Sequence, residues 1–581
     1  MMKNPTLRRL SRLLLCLLLL GVSSLPAWAV TRAELLGRVL ETLRVSQIPS
    51  GGLPPDVPPD HPFAGSLRTA VATGRIPGGL PFDPDRPPSR EEALDLALRG
   101  LGLGVERDLL ARLRAPASGD ASLPAPTVTE TLDPPLPGEL GQASADPLGD
   151  EQVPKLLDWV ALCPGRLVWE ARTSEVGAEL LLHREGVGGA PEEGFVLQID
   201  ATSLEDGGAA VTASAESLGL HPQVVPTPTG PVVQIGPFPT SQAALDVAAQ
   251  HPEWPQANCV TLQAQVSPAL FYAAARVNMG RYALRVPFAE ASGGFGRLAL
   301  SQFAERSDPR PLVAMNGGFF AGNRPIGSLV LEGLPGGKAY GGRSALGWTE
   351  RGDLFFGDGT SRVAIQASGT RLEVTRFNTP PDAHGLALYI PQICPQPKGL
   401  GDALLLRVEG GVVAAAGGSD TVPTALSGTT FLVAARGRSR AFLERLQTGD
   451  PVEIRTEWAF PAFEGCSGVL QAGPLLLEGG RDHRNPEGFA RTLTDRRHPR
   501  TVVGIDGSAL VFLVVDGRST LHSRGTTLEE TRALARRLGL VTALNLDGGG
   551  STQLIWKGVT VNRPSDGRER PLPYALLAVP R

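Results

Sequence analysis

Near the C-terminus, Asn545-Leu546-Asp547-Gly548-Gly549-Gly550-Ser551-Thr552 places an amide and a carboxylate ahead of three glycines and two hydroxyls. A carboxylate so placed can serve as a base or a nucleophile. The glycines let the backbone turn sharply and approach a ligand closely. Backbone amides from Gly548 to Ser551 have the makings of an anion-binding nest. Upstream, Asp516-Gly517-Arg518 and Asn316-Gly317-Gly318 repeat the pattern of Asn or Asp followed by Gly. The plainer account is three tight turns whose polar side chains bond their own backbone.

Each of these turns follows a short apolar run: Leu540 to Leu544, Ala509 to Val515, and Leu312 to Met315. Such runs predict buried strands, so three strand ends deliver polar residues to one shared pocket. Between the last two strands in the chain, Thr527 and Glu530 have capping-box spacing and predict a helix to about Leu538, stopped by Gly539. If the flanking strands are parallel neighbours, Asp516 and Asp547 leave the same sheet edge, where ligands of open α/β sheets bind. An antiparallel pair would separate the two aspartates.

These residues resemble the phosphodiester glycosidase domain family, which includes the enzyme that removes N-acetylglucosamine from a mannose-6-phosphate diester. The resemblance is carried, in the family's order, by Asn316 to Phe320, Arg343 to Trp348, Ala472-Gly473-Pro474, Arg500 to Gly504, Val515 to Arg518, Thr527 to Glu530, Asn545 to Thr552 and Asn562 to Asp566. It covers roughly residues 265–581. It implies hydrolysis between a sugar C1 and a phosphodiester oxygen. The leaving phosphate monoester is a weak base and needs little protonation. The site must supply charge complementarity to phosphate and a carboxylate for the oxocarbenium-like centre or its attacking water. On this reading Asp547 is the catalytic base or nucleophile, supported by Asp516 and Glu529. Glu529 also has the place of a residue that only complements the helix dipole. The substrate-binding set is Asn316, Gly317, Arg343, Arg500, Arg518, Asn545, Gly548, Gly549, Gly550, Ser551, Thr552, Asn562, Arg563 and Asp566. Arginine forks suit phosphate oxygens. The histidines His384, His483, His498 and His522 are scattered and read as structural. No cofactor is required; the oxygens of Asp516 and Asp547 would suit Ca²⁺ or Mg²⁺.

The 581 residues are too many for one core and predict about two to four domains. A net charge of −4 gives no reason to expect a nucleic-acid partner. Residues 1–29 read as a signal peptide: Lys3, Arg8, Arg9 and Arg12, then Leu13 to Leu20, then Ala27-Trp28-Ala29. Export permits disulfides, and Cys163–Cys259 and Cys394–Cys466 are the pairings that stay within one region, with free buried thiols as the alternative. No stable membrane span is expected after signal cleavage.

The fold class expected is multidomain α+β and α/β. Residues 30–104 form a small helical module with capping boxes at Thr31-Arg32-Ala33-Glu34 and Ser89-Arg90-Glu91-Glu92. This module resembles an S-layer homology unit. Residues 105–155 are a Pro/Ala/Ser-rich linker. Residues 156–258 form a ferredoxin-like middle module; Gln234-Ile235-Gly236-Pro237-Phe238 resembles the SPOR domain, which binds peptidoglycan. Residues 262–581 form a mixed α/β catalytic domain with a strand–helix–strand unit at its C-terminal end. The function expected is an exported cell-envelope hydrolase of the periplasm, held near a glycosyl-phosphodiester substrate by modules that bind peptidoglycan or a secondary wall polymer. The alternatives are a non-catalytic glycan-binding scaffold and a phosphodiesterase cutting on the phosphorus side.

Overall fold

The protein is seen in a computed structural model that describes residues 30–581 apart from 44, 46–51, 116–126, 139, 141–145, 150, 165, 188–194, 202–203, 205–207, 221, 228–229, 239–240, 255–256, 262–268, 292–293 and 520. The expected signal peptide lies outside the described residues, and so does the side chain of Cys259. The described chain forms two units, one of Met1–Leu101 with Leu136–Leu162 and one of Gly102–Pro135 with Cys163–Arg581.

The first unit is helical. Its helices are Arg32–Thr42, Ala64–Ala72, Arg90–Leu98 and Gln152–Leu162. The Thr31 hydroxyl accepts the Glu34 amide, and Ser89 with Glu92 completes a reciprocal capping box. Leu35, Leu36, Val39, Leu67, Leu96 and Leu156 are buried on the inward faces of these helices. Gln152–Leu162 was expected in the linker and middle module, yet it packs against Arg32–Thr42.

The second unit is built on a nine-stranded sheet. Its order is Val128–Asp133, Val168–Glu175, Ala178–Glu185, Leu270–Val277, Leu510–Val515, Arg500–Ile505, Thr542–Asn545, Leu475–Glu478 and Arg481–Asp482. Leu510–Val515 and Thr542–Asn545 each pair antiparallel with Arg500–Ile505 between them. The two strands therefore run the same way without being neighbours, a third outcome beside the two the sequence allowed. Helix Leu528–Arg537 joins them, capped at Thr527 and Glu530 as its spacing predicts. It lays Leu528, Leu534 and Ala535 onto Tyr272, Val502, Leu513 and Val515 of the sheet. Each such leucine contributes about 1.5–3 kcal/mol by leaving water.

Two expected boundaries are corrected. The stretch 105–155 is not all linker, because Gly104–Arg114 is helical and Val128–Asp133 is the edge strand of the large sheet. Proline and alanine set the composition there, but the local run Val128-Thr129-Glu130-Thr131-Leu132 is β-branched and alternates inward and outward. Glu130 also accepts the Trp169 indole N–H at 2.9 Å and pairs with Arg107.

The second correction concerns the middle module. Its strand–helix–strand–strand–helix–strand run is ferredoxin-like, with sheet order Pro222–Thr227, Gly230–Phe238, Phe195–Asp200, Asn258–Thr261. It does not precede the nine-stranded sheet. It is inserted between Ala178–Glu185 and Leu270–Val277, which pair directly from Ala178 opposite Val277 to Glu185 opposite Leu270. Residues 168–185 belong to the nine-stranded sheet.

The Cys394–Cys466 disulfide does not form; both are buried free thiols, the alternative the sequence left open, and the Cys163–Cys259 pairing falls outside the described residues. Cys394 packs with Tyr389 and Leu405, while Cys466 packs in a separate cluster with Phe463 and Val469. Burial pushes the Cys394 and Cys466 thiols up to about 11.

Candidate functional site

The three expected strand ends do converge. Val313–Asn316 lies in a second sheet, beside Leu554–Trp556 and Ala575–Pro580. From there the Asn316 amide donates to the carbonyl of Asp547 at 2.7 Å and to Gly317 at 3.2 Å. Its oxygen accepts the Thr501 hydroxyl and the Gln553 amide. Asn316 is fully buried, so it clamps the loop instead of offering an amide to a sugar. Asn562 works similarly: it donates to Asp516 and to the Thr552 carbonyl, and accepts the Leu554 amide. Thr552 is buried, its hydroxyl 3.2 Å from that of Thr501.

Asp547 lies half-buried on the wall of a cavity of about 380 Å³. Arg496, Arg500, Arg518, His498 and Phe319 line the rest of it, with Asn545 and Gly548-Gly549. Burial pushes the Asp547 carboxyl up to about 6, partly offset by the Ser551 hydroxyl, the charge of Arg570 and the Gly548 amide. Ser551 is buried and accepts from Arg570 at 3.4 Å, while Arg570 forms an ion pair with Asp566 at 2.7 Å. A relay Asp566–Arg570–Ser551 thus backs the carboxylate. Gly550 is required here: a Cβ would stand 1.9 Å from an Arg570 nitrogen and 2.3 Å from the Asp566 oxygens. Gly549 has φ +63, and its Cβ would meet Arg518 at 2.9 Å.

The arginines differ in what they have left to offer. Arg500 is buried and donates to the carbonyls of Thr526, Leu493 and Arg496; burial lowers it to about 10. Arg518, at φ +60, reaches Ser565 at 3.5 Å and Asp566 at 4.0 Å from the cavity rim. Arg343 is sandwiched between Tyr340 and Phe489, 3.8 and 4.2 Å from the ring centres, and does not line the cavity. The Asn545 amide nitrogen donates to the carbonyls of Gly473 and Leu546. Its oxygen is buried without a partner at the cavity wall. A Cβ on Gly317 would stand 2.3 Å from the Tyr574 ring, so that glycine admits the ring and does not shape a ligand contact.

Two of the three expected catalytic carboxylates are elsewhere. Asp516 is 1% exposed and spends its oxygens on His522 at 2.7 Å, on the Asn562 amide at 2.8 Å and on the Arg563 backbone amide at 2.7 Å. It holds the Asn562-Arg563 turn. Glu529 is 59% exposed on the outer face of its helix, paired with Arg532 and Arg484, and does not line the cavity. Among the described residues no group of three or more His, Cys, Asp or Glu is placed to hold a metal. With Asp516 saturated by donors, Asp516 and Asp547 do not make the oxygen set that Ca²⁺ or Mg²⁺ would need.

Sequence reasoning missed Arg496, Arg570, Glu487 and His522. Arg496 lies in a run of polar text, and Arg570 becomes a neighbour of Asp547 only through folding. Glu487 is buried and accepts the Ser344 amide and hydroxyl at 2.7 Å and the Leu475 amide at 2.8 Å. A signal for His522 existed in its position six residues after Asp516, but a lone histidine carries little weight.

Residues 403–579 match the model of the phosphodiester glycosidase family. This segment holds Asp516, Arg518, Asp547, the Gly548–Gly550 loop, Asn562 and Asp566, but neither Asn316 nor Arg343. The chain is 45% identical over 76 residues to an uncharacterized SPbeta prophage-derived protein of Bacillus subtilis; the match spans 13% of this chain and 12% of that protein. The fold is similar to that of a Burkholderia pseudomallei protein named as exported, at TM-score 0.50 and 18% identity over 70% of this chain and 94% of that one. Two further structures align at lower scores. A hypothetical protein from Synechocystis reaches TM-score 0.45 at 20% identity, covering 71% and 78% of the two chains. The catalytic domain of zebrafish N-acetylglucosamine-1-phosphodiester alpha-N-acetylglucosaminidase reaches 0.31 at 13% identity, covering 62% and 82%.

Proposed function

We propose that the chain is a phosphodiester glycosidase that releases a sugar from a sugar-1-phosphodiester. The observation that carries this reading is one cavity lined both by Asp547, its carboxyl raised to about 6, and by Arg496, Arg500 and Arg518. The arginines take the diester phosphate and neutralise charge on the departing monoester. Asp547, ionised near neutral pH and of raised proton affinity, takes the proton from water as it attacks C1. Arg570, through Ser551, keeps enough of that carboxyl ionised to act. The family match over 403–579 supports the same reading.

Export and tethering extend the proposal. The signal-like N-terminus and the exported neighbour support an envelope location. Among the described residues no helix is long and apolar enough to cross a membrane. The helical unit and the inserted ferredoxin-like module would hold peptidoglycan or another wall polymer and raise the local substrate concentration.

The test uses the full chain, wild type and Asp547→Asn, on a nucleotide-diphosphate sugar or a synthetic glycosyl phosphodiester. Free sugar and sugar phosphate are assayed together. Free sugar from the wild type, lost in a folded variant, is the expected result. Sugar phosphate would move the activity to the phosphorus side. Glycan binding with neither product would identify a scaffold.

A further inference from the structure

The second unit buries four ionisable side chains that the reaction does not use. Glu106, from helix Gly104–Arg114, and Arg184, from strand Ala178–Glu185, are both fully buried. His522 and Asp516 are almost as deep. The His522 ring stands between two carboxylates: Nδ1 is 2.9 Å from Glu106 and Nε2 is 2.7 Å from Asp516. Arg184 lies 3.4 Å from Glu106 and 3.3 Å from His522 Nδ1, and donates to the carbonyls of Leu521 and His522. Phe271 covers the ring at 4.6 Å.

The charges dictate the protonation. A carboxylate only accepts, and Nδ1 stands nearer to Glu106, at 2.9 Å, than to the Arg184 guanidinium, at 3.3 Å, so the ring donates to both carboxylates when both nitrogens carry hydrogen. Two carboxylates, one imidazolium and one guanidinium then sum to zero, the condition under which buried charges are tolerated. The His522 ring is accordingly held above its ordinary pKa, because the attraction of Glu106 and Asp516 outweighs burial.

Asp516 passes this arrangement on. Its oxygens hold Asn562 and the Arg563 amide, and Asn562 holds the carbonyl of Thr552 at the end of the Asp547 loop. We propose that Glu106 is a positioning residue of the site: it fixes His522 as a doubly donating imidazolium, and through Asp516 and Asn562 it sets the loop that carries Asp547. The catalytic consequence rests on the function proposed above; the protonation and the linkage do not. A residue some four hundred positions upstream thereby becomes part of the site's frame, and the stretch first taken for linker begins with a structural requirement of the reaction.

The experiment uses the full chain labelled with 15N-histidine and 15N-arginine, as wild type, Glu106→Gln and Glu106→Asp. The expected wild-type spectrum at pH 8 has one imidazole with both ring nitrogens protonated, removed by His522→Gln. In Glu106→Gln that ring becomes neutral, because the Gln amide can donate to Nδ1, and the Arg563 amide resonance shifts. Glu106→Asp restores the imidazolium in part. With a glycosyl phosphodiester, kcat falls about ten- to a hundredfold in Glu106→Gln with little change in KM, the size of loss typical when the partners behind a site are removed. A neutral His522 in the wild type overturns the proposal without any variant. So does a neutralised ring with an unmoved Arg563 amide. If no substrate is turned over by any form, the spectra still decide the linkage, while the function proposed above fails separately. If Glu106→Gln does not fold, the wild-type spectrum and the Glu106→Asp spectrum carry the decision.

Discussion

Asp516 and Asp547 stand at the ends of strands that run in the same direction, each followed by glycine, and the two have opposite fates. Asp516 meets an imidazole, a side-chain amide and a backbone amide and is closed to solvent. Asp547 meets the Ser551 hydroxyl, backed by Arg570, and the Gly548 amide, faces a cavity and is pushed up to about 6. The same local text thus gives a structural anchor in one place and a cavity-facing carboxyl of raised proton affinity in the other. What differs is the number of donors that other parts of the chain bring to each carboxylate.

Substitution by asparagine separates the two most strongly. Asp547→Asn should cut turnover about 10²–10⁴-fold, the usual worth of a positioned acid or base. It should also raise the melting temperature at pH 8. A carboxyl whose folded pKa lies above its unfolded value costs stability as pH rises from about 4 through about 6, and the amide removes that cost. Asp516→Asn should do the reverse, destabilising by about 3–5 kcal/mol because it strands a buried imidazolium. Chemical denaturation beside activity assays would read both, and equal stability losses would break the comparison.

Truncation sharpens it next. Residues 260–581 alone lack Glu106 and Arg184 and leave strand Leu270–Val277 without its partner. The Asp516 end loses its support while the Asp547 end keeps Ser551 and Arg570. Such a fragment should aggregate through its exposed edge, or fold with a lower melting temperature and a neutral His522. Full stability would show that the buried quartet is dispensable.

A subtler change tests the source of reactivity. Arg570→Gln removes the cation that lowers Asp547, so the acid limb of kcat/KM should move up from pH 6, with about a tenfold loss of rate at pH 6. An unmoved limb would assign it to another group. The smallest effect is expected at Glu529→Gln, where an exposed pair with Arg484 and Arg532 is lost: stability within about 0.5 kcal/mol and unchanged turnover.

The strands, the capped helix and the convergence of Asn316, Asp516 and Asp547 were legible because each is written in local text. Apolar runs end in Asn or Asp with Gly, and Thr527 with Glu530 spells a helix start. The ferredoxin-like run was equally legible from its alternation of strand and helix patterns. The roles were not. Nothing in the neighbourhood of Asp516 announces that Glu106 will arrive behind His522, nor does Asn316 reveal that its amide will be saturated. Glu529 looked chemical because it adjoins a motif, but its place on the helix turns it to solvent. Insertion of the module between paired strands was hidden because pairing of Glu185 with Leu270 is a long-range fact.

That insertion has a mechanical consequence. Both ends of the ferredoxin-like module enter the sheet at one end of the ladder between Ala178–Glu185 and Leu270–Val277. A load applied through the module would pull these strands apart from that end, opening hydrogen bonds one after another instead of shearing them together. The Glu185–Arg537 ion pair at 3.3 Å fastens the strand end that would open first. A load on the module would therefore strain the strand that carries Arg184 before it strained the cavity.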